Sequence, residues 1–184
     1  MKTLLAVHSY PGANDTIERH WPYFLRQRAN FLFGVGTEDG TCRFPKGAAS
    51  VKIGNDSYIN GAVLPKRMLN TLAEFLDLNW DVMILAEYDT VFFQRINVEQ
   101  MIKPFAGHYA GGRTWQSKAS CFYHNPWVFS RSCVDGFIRE GWKAIADGVC
   151  GEKTSYHLSD PEGSPDVFFA YVIEQLGCEV EVDL

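Results

Sequence analysis

The sequence predicts an α/β fold in which a mostly parallel central sheet is flanked by helices. Three observations predict this fold. Segments with the patterns of strands and of helices alternate along the chain. The run Val82–Ala86 is apolar and uncharged, as expected of a strand that is covered on both faces. A chain of 184 residues with 46% hydrophobic and 21% charged residues can form one domain with an adequate core.

The amino-terminal half begins with a predicted strand at Thr3–Val7, and a second strand is predicted at Phe31–Val35. Between them, a helix is expected to begin at Asp15 or Thr16 and to be interrupted near Pro22. A further helix is expected to begin near Leu64, with Pro in its first turn and apolar residues at helical spacing. This helix precedes the apolar strand described above.

The carboxyl-terminal half continues the alternation. In order, the pattern predicts a short helix at Val98–Ile102, a strand around Tyr109, an amphipathic helix at Cys133–Gly148, a helix from Pro165 and a half-exposed strand at Cys178–Asp183. The helix that begins at Pro165 is expected to have Ser164 as its N-cap and to end before Gly177.

The charge distribution limits the possible partners. A formal net charge of -5 argues against a generally basic surface for nucleic acid. Two local groups of basic residues leave room for a smaller basic patch. They are Arg43, Lys46 and Lys52, and Arg113 and Lys118.

The cysteines and the apolar segments bear on the cellular compartment. The five cysteines are odd in number and form no C-x-x-C pair, which favours reduced thiols in a cytosolic protein. The amino-terminal apolar run stops at His8, short of a typical signal peptide, and no run is long enough for a membrane-spanning helix. We therefore expect a cytoplasmic protein without a membrane anchor.

Two carboxylates follow the apolar strand directly. Glu87 and Asp89 are spaced i, i+2, so on an extended strand they would share one face while Tyr88 points away. The carboxyl end of such a strand is where open α/β sheets bind ligands. Mg²⁺ and Mn²⁺ prefer oxygen ligands, and Mg²⁺ usually takes one or two carboxylates together with water and substrate phosphates. The motif predicts a metal-bridged phosphate ligand, although a strand that simply ends in a solvated turn is the alternative.

Four segments together resemble one enzyme family. Trp80–Phe93 is similar to the D-x-D region of nucleotide-sugar glycosyltransferases of the GT-A fold, here as E-x-D, and Tyr109–Gly112, Asn125–Arg131 and Ser164–Phe169 resemble further elements of that family in the same order. The resemblance spans most of the chain. It implies a single Rossmann-like GT-A domain over residues 1–184 that transfers a hexose-like sugar from a nucleoside-diphosphate sugar, with UDP favoured, to an acceptor hydroxyl. It also implies a divalent cation, Mn²⁺ or Mg²⁺, held by Glu87 and Asp89.

The resemblance and the local chemistry also suggest which residues bind the donor. They are His8, Ser9, Tyr10, Lys66, Tyr88, Gly111 and Gly112. The first turn, which is His8–Tyr10 after the first strand, would contact the nucleotide base, and Lys66 would contact the diphosphate. Gly111 and Gly112 would let the donor sugar approach the backbone. A plain loop, a solvated helix face and a simple turn or bulge are the respective alternatives. The family often supplies a third metal ligand from a late histidine, but no histidine follows Asp166, so His157 or water would complete the shell.

On the acceptor side, the resemblance implies that Asp166 contacts the acceptor hydroxyl and, in inverting members, acts as its general base. The alternative is that Asp166 only interacts with the helix dipole, which favours a carboxylate in the first turn of a helix. The expected acceptor-binding residues are Arg113, Trp115, His124 and Trp127. Basic and aromatic residues alternate in this region, which would suit a sugar, a protein or a hydroxymethylated pyrimidine in DNA. The acceptor, the donor base and the stereochemical outcome stay open at this point.

Two other functions are compatible with parts of the sequence. Glu87–Val91 matches the D-x-D-x-[TV] motif of haloacid-dehalogenase-like phosphatases except at the first position, where those enzymes need an aspartate nucleophile. A non-catalytic module that binds a sugar nucleotide would carry the same donor site. Nucleotidyltransferases share a related fold, but their glycine-rich amino-terminal signature is missing here.

Overall fold

A twisted sheet forms the centre of the protein in the computed structural model, which describes residues 1–38, 40–54, 63–112, 121–149 and 165–182. The strands are β1 Thr3–His8, β2 Phe31–Gly36, β3 Ala49–Lys52, β4 Val82–Glu87, β5 Phe105–Gly112, β6 Cys121–Ser130 and β7 Val180–Glu181. The helices are α1 Asn14–Arg26, α2 Val63–Glu74, α3 Arg131–Ala146 and α4 Pro165–Leu176. Short 3-10 turns occur at Pro11–Ala13 and Val98–Gln100.

The strand order is β3-β2-β1-β4-β6-β5-β7. Strands β3, β2, β1 and β4 are mutually parallel, and β7 is parallel to β5, whereas β6 is antiparallel to both of its neighbours. The chain moves outward from β1 to β2 and β3 and then returns to the other side of β1 as β4. The carboxyl ends of β1 and β4 therefore form a topological switch point, where open α/β sheets bind their ligands.

Successive side chains of a strand point to opposite faces of the sheet, and each face is covered by helices. Leu4 and Met83 belong to the core on the face covered by α2, α3 and α4. Leu5 and Ile84 belong to the core on the opposite face, where α1 contributes Ile17, Trp21 and Phe24. Helices on both faces of a mostly parallel sheet confirm the predicted fold class.

Most predicted elements occur within a few residues of their expected bounds, but three details differ. Helix α1 continues through Pro22 without interruption, because Trp21 and Phe24 on either side are both buried in the core and hold the helix in place. Neither strand β3 nor strand β6 was predicted, and the closing strand is only Val180–Glu181. The predicted cap Ser164 lies outside the described residues.

Two further expectations concern the cysteines and the membrane. Cys42, Cys121, Cys133 and Cys178 are free thiols, and Cys150 lies outside the described residues. Burial, followed by the neighbouring Cys178, raises the pKa of Cys133 to about 12, so this thiol stays protonated. Among the helices that the structure describes, none is long and apolar enough to cross a bilayer.

Candidate functional site at the β1–β4 switch point

The switch point brings two turns together. His8 at the end of β1 is the register partner of Glu87 at the end of β4, so the segments that follow both strands leave the sheet side by side. The rings of Tyr10 and Tyr88, one from each segment, meet edge to face with their centroids 5.2 Å apart. The sequence-predicted nucleotide turn and the acidic motif are therefore neighbours in the fold.

The acidic motif forms a turn. Strand β4 ends at Glu87, and the Thr90 amide donates to the Glu87 carbonyl at 3.0 Å, which closes the turn. The Thr90 hydroxyl oxygen also accepts the Glu87 N–H at 3.2 Å. The expectation that Glu87 and Asp89 lie on one face of an extended strand is therefore wrong, because these local hydrogen bonds end the strand two residues earlier. Glu87 is half-buried and Asp89 is exposed.

Strand β6 supports this turn from the side. The Asn125 amide Nδ2 donates to Glu87 Oε2 at 3.4 Å, and the Thr90 hydroxyl donates to Asn125 Oδ1 at 2.6 Å. These contacts join the Glu87 side chain, the turn and β6 in one hydrogen-bonded ring. The antiparallel direction of β6 makes this possible, because its amino-terminal half passes the carboxyl end of β4.

The same part of β6 leads to Asp166. His124, the residue before Asn125, has its Nδ1 2.8 Å from Asp166 Oδ2. Asp166 lies in the first turn of α4, where the helix dipole favours a negative charge. The His124 side chain is 59% exposed and that of Asp166 17% exposed, so the imidazole is the more accessible member of the pair.

The side chains of the first turn are more buried than its polar sequence suggests. The side chains of His8 and Ser9 are completely buried, and only Tyr10 of the three residues predicted to meet the base is half-buried. Burial, and then the nearby Arg67, lower the pKa of His8 well below its usual value of 6.5, so the ring is neutral. Within the described residues, neither ring nitrogen of His8 has a hydrogen-bond partner.

Arg67 on α2 fixes the ends of β1 and β2. Its side chain is only 3% exposed, and Nη2 donates to the carbonyl oxygens of Ser9 and Val35, both at 2.7 Å. A solvated helix face is the expected position for such a residue, but here the guanidinium is inside. It donates to two carbonyl groups at the ends of β1 and β2, and the Val35 carbonyl also accepts the Ser9 N–H at 3.0 Å.

The Tyr88 hydroxyl is protonated at neutral pH. Burial raises the pKa of Tyr88 most strongly, and a hydrogen bond with Tyr10 and the charges of Asp89 and Glu87 raise it further. Both carboxylates therefore act electrostatically on the same hydroxyl, which indicates that their charges converge on this turn. The neutral phenol can donate a hydrogen bond next to them.

The other predicted site residues are distributed as follows. Lys66 is half-buried on α2. Gly111 and Gly112 end β5, at the same edge of the sheet as the end of β4, where they pair with Phe122 and Cys121.

Trp127 lies in the core rather than at the surface. It is fully buried, meets Phe169 at a centroid distance of 4.6 Å and donates from Nε1 to the Tyr123 carbonyl at 2.8 Å. These are the contacts of a core residue. Arg113, Trp115 and His157 lie outside the described residues.

The donor set of the acidic turn suits a hard divalent cation that shares its coordination with a phosphate. Glu87 and Asp89 supply two carboxylates, which is the number that Mg²⁺ commonly takes from a protein. In the part of the chain that the structure describes, no three His, Cys, Asp or Glu side chains group closely enough to enclose a metal ion by themselves. Water and the ligand's phosphates would have to supply the remaining positions.

Sequence reasoning missed the supporting roles of Thr90, Asn125 and Arg67. Thr90 carried a local signal, because a threonine three residues after a strand end can bond back to the backbone of the turn. Asn125 carried none, since its role depends on the pairing of β6 with β4, between residues far apart in sequence.

Comparison with known proteins supports the fold. No protein-family model and no curated protein sequence matches the chain. Among solved structures, the chain is similar to 2-C-methyl-D-erythritol 4-phosphate cytidylyltransferase from Thermus thermophilus. The TM-score is 0.55 at 12% sequence identity, over 100% of this chain and 88% of that one. The likeness shows that the chain has a Rossmann-like α/β fold.

Proposed function

We propose that this protein is a metal-dependent glycosyltransferase that moves a sugar from a nucleoside-diphosphate sugar, with UDP favoured, to an acceptor hydroxyl. The observation that supports it most directly is the position of the Glu87–Thr90 turn. This turn lies at the switch point, against Tyr10 from the first turn, where open α/β sheets bind nucleotides. The resemblance of four segments to GT-A enzymes is the reason for proposing sugar transfer rather than another reaction of a nucleotide.

The donor half of the site would be formed by β1 and β4. Tyr10 offers an aromatic surface to the nucleotide base, and Glu87 and Asp89 would hold Mg²⁺ or Mn²⁺ near the diphosphate. When bound, such a cation stabilises the negative charge that develops on the departing nucleoside diphosphate. Asn125 and Thr90 keep the Glu87 carboxylate in one orientation, which a pre-organised site requires.

The acceptor half would be formed by β6 and α4. His124 and Asp166 form a hydrogen-bonded pair, and His124 directly precedes Asn125 in the chain. The exposed imidazole gives an incoming hydroxyl group access to this pair. We propose that the acceptor is a sugar, a protein side chain or a hydroxymethylated pyrimidine of DNA.

Nucleotidyl transfer is the second candidate, because the similar solved structure is named as a cytidylyltransferase. Such an enzyme would take a nucleoside triphosphate and release pyrophosphate, whereas a glycosyltransferase takes a nucleoside-diphosphate sugar and releases the nucleoside diphosphate. The first turn of this chain, H-S-Y-P-G at residues 8–12, lacks the glycine-rich phosphate-binding sequence that would favour the triphosphate.

Titration calorimetry tests the proposal. UDP, GDP and CTP are titrated with and without Mn²⁺ into the wild type, Asp89→Asn and Asp135→Asn, the last being an exposed aspartate on α3 that serves as the matched control. We expect metal-dependent binding of UDP that is lost in Asp89→Asn and kept in Asp135→Asn. Metal-dependent binding of CTP alone would favour nucleotidyl transfer. Absence of any binding to the folded protein would reject both functions.

A further inference from the structure

The pair formed by His124 and Asp166 has the geometry of an oriented general base. Nδ1 of His124 lies 2.8 Å from Asp166 Oδ2, and the imidazole is far more exposed than the carboxylate, at 59% against 17%. We propose that His124 removes the proton from the acceptor hydroxyl and that Asp166 is a positioning residue that orients the imidazole. This inference rests on the proposed function and changes the role that the resemblance implies for Asp166.

The chemistry of the two side chains assigns these roles. An ionised carboxylate only accepts hydrogen bonds. A neutral His124 ring must therefore carry its proton on Nδ1, from which it donates a hydrogen bond to Asp166. That tautomer places the basic lone pair on Nε2. The position of Asp166 in the first turn of α4 favours its ionised form, which also stabilises the imidazolium that forms when the base is protonated.

Adjacency along β6 links His124 to the donor half of the site through the backbone. His124 directly precedes Asn125, whose amide holds the Glu87 carboxylate and whose carbonyl oxygen Oδ1 accepts from Thr90. Two consecutive α-carbons lie about 3.8 Å apart, so one short segment of β6 serves both halves of the site. Asp166 alone would be a less accessible base, because its side chain is 17% exposed against 59% for His124.

The reaction step is a direct displacement. The acceptor oxygen forms a bond to the anomeric carbon of the donor while its proton moves to Nε2 of His124. The bond between the anomeric carbon and the phosphate oxygen breaks, and its electron pair leaves with the nucleoside diphosphate. The products are the glycosylated acceptor, the nucleoside diphosphate and a protonated His124, which returns its proton to solvent.

Chemical rescue tests the roles without knowledge of the natural acceptor. Hydrolysis of UDP-glucose, UDP-galactose and UDP-N-acetylglucosamine with Mn²⁺, in which water is the acceptor, is measured for the wild type, His124→Ala and Asp166→Ala. His108→Ala is the control, because His108 is exposed on β5 and pairs with His124 across the strands. Added imidazole or formate then replaces the missing side chain.

We expect His124→Ala to lose about 10²- to 10⁴-fold in hydrolysis rate, the usual contribution of a general base. Imidazole should restore the His124→Ala rate at least tenfold and leave Asp166→Ala unchanged, and His108→Ala should keep the wild-type rate. Recovery of Asp166→Ala by formate, with no recovery of His124→Ala by imidazole, would assign the base to Asp166 and overturn the inference.

The controls separate this inference from the proposed function. A wild type that neither binds UDP with Mn²⁺ nor hydrolyses any of the donors rejects the function and the base together. A wild type that binds and hydrolyses, while His124→Ala keeps its full rate, rejects the base alone. If His124→Ala does not fold, His124→Gln is used, because its amide can still donate to Asp166 but cannot act as a base.

Discussion

Asn125 donates a hydrogen bond to Glu87 over 3.4 Å and thereby connects an antiparallel strand to the acidic turn of a parallel one. The Thr90 hydroxyl completes the ring by accepting from the Glu87 backbone and donating to Asn125. The acidic side chain that would hold the donor's cation is thus oriented by residues from two distant parts of the chain.

Replacement of Thr90 by Val should destabilise the protein and weaken metal-dependent UDP binding. The substitution keeps the shape of the side chain but removes one acceptor and one donor of the ring, for which we expect a loss of about 1–3 kcal/mol in the free energy of unfolding. Urea denaturation measures it. Thr16→Val is the control, because the Thr16 hydroxyl accepts from Arg19 on the same helix, at 3.4 Å in a solvent-exposed contact. Equal losses in both variants would contradict a special role for the ring.

Replacement of Arg67 by Met should cost far more stability than replacement of its neighbour Lys66. Arg67→Met removes the buried guanidinium that donates to the carbonyl oxygens of Ser9 and Val35, and Val35 keeps only the Ser9 N–H, so we expect a loss of about 2–4 kcal/mol. Lys66→Met changes a half-buried side chain and should change the free energy of unfolding by less than about 1 kcal/mol. Denaturant unfolding measures the free energy of unfolding of both variants. Similar losses would show that the hydrogen bonds of Arg67 to the Ser9 and Val35 carbonyls contribute little to stability.

His8 should make the stability depend on pH. Burial and Arg67 hold its folded-state pKa well below 6.5, its value in the unfolded chain. Between the two values only the unfolded state binds the proton, so stability is complete above pH 6.5 and falls as the pH decreases toward the folded-state pKa. The slope should reach at most about 1.4 kcal/mol per pH unit.

Unfolding free energies of the wild type, His8→Gln and His108→Gln between neutral and mildly acidic pH measure this slope. His8→Gln should lose the contribution of one proton, and the exposed His108→Gln should retain it. An unchanged slope in His8→Gln would mean that another group causes the acid sensitivity.

Tyr10 should contribute directly to nucleotide binding. Removal of an aromatic ring that stacks on a base costs about 1–3 kcal/mol, which corresponds to a loss of roughly 5- to 150-fold in affinity for UDP with Mn²⁺. Calorimetry on Tyr10→Ala measures it, with Tyr23→Ala as the control, since Tyr23 is also half-buried but lies on α1. If Tyr10→Ala binds UDP as tightly as Tyr23→Ala does, the base is recognised elsewhere.

The sequence predicted those parts of the structure that depend on local patterns. The uncharged run ending in Glu87 predicted β4, and the spacing of apolar residues predicted α2, because burial imposes these patterns on neighbouring residues. The position of the first turn beside the acidic motif was not predicted, because it depends on the pairing of β1 with β4.

The remaining features depend on contacts between distant residues. The ring between Glu87 and Asn125 requires the antiparallel pairing of β6 with β4, and the lowered pKa of His8 depends on burial and then on Arg67 from α2. The turn at Glu87, by contrast, is local: Thr90, three residues later, bonds back to the backbone of Glu87 and replaces the expected extended geometry.

The reversed direction of β6 divides the site between two stretches of the polypeptide. Residues 8–10 and 87–90 reach it from the first half of the chain, and residues 124–125 and 166 reach it from the second. On the proposed function, the first stretch recognises the nucleotide and the second recognises the acceptor. Substitutions in the second stretch could then redirect the enzyme to a new acceptor without altering the nucleotide contacts of the first.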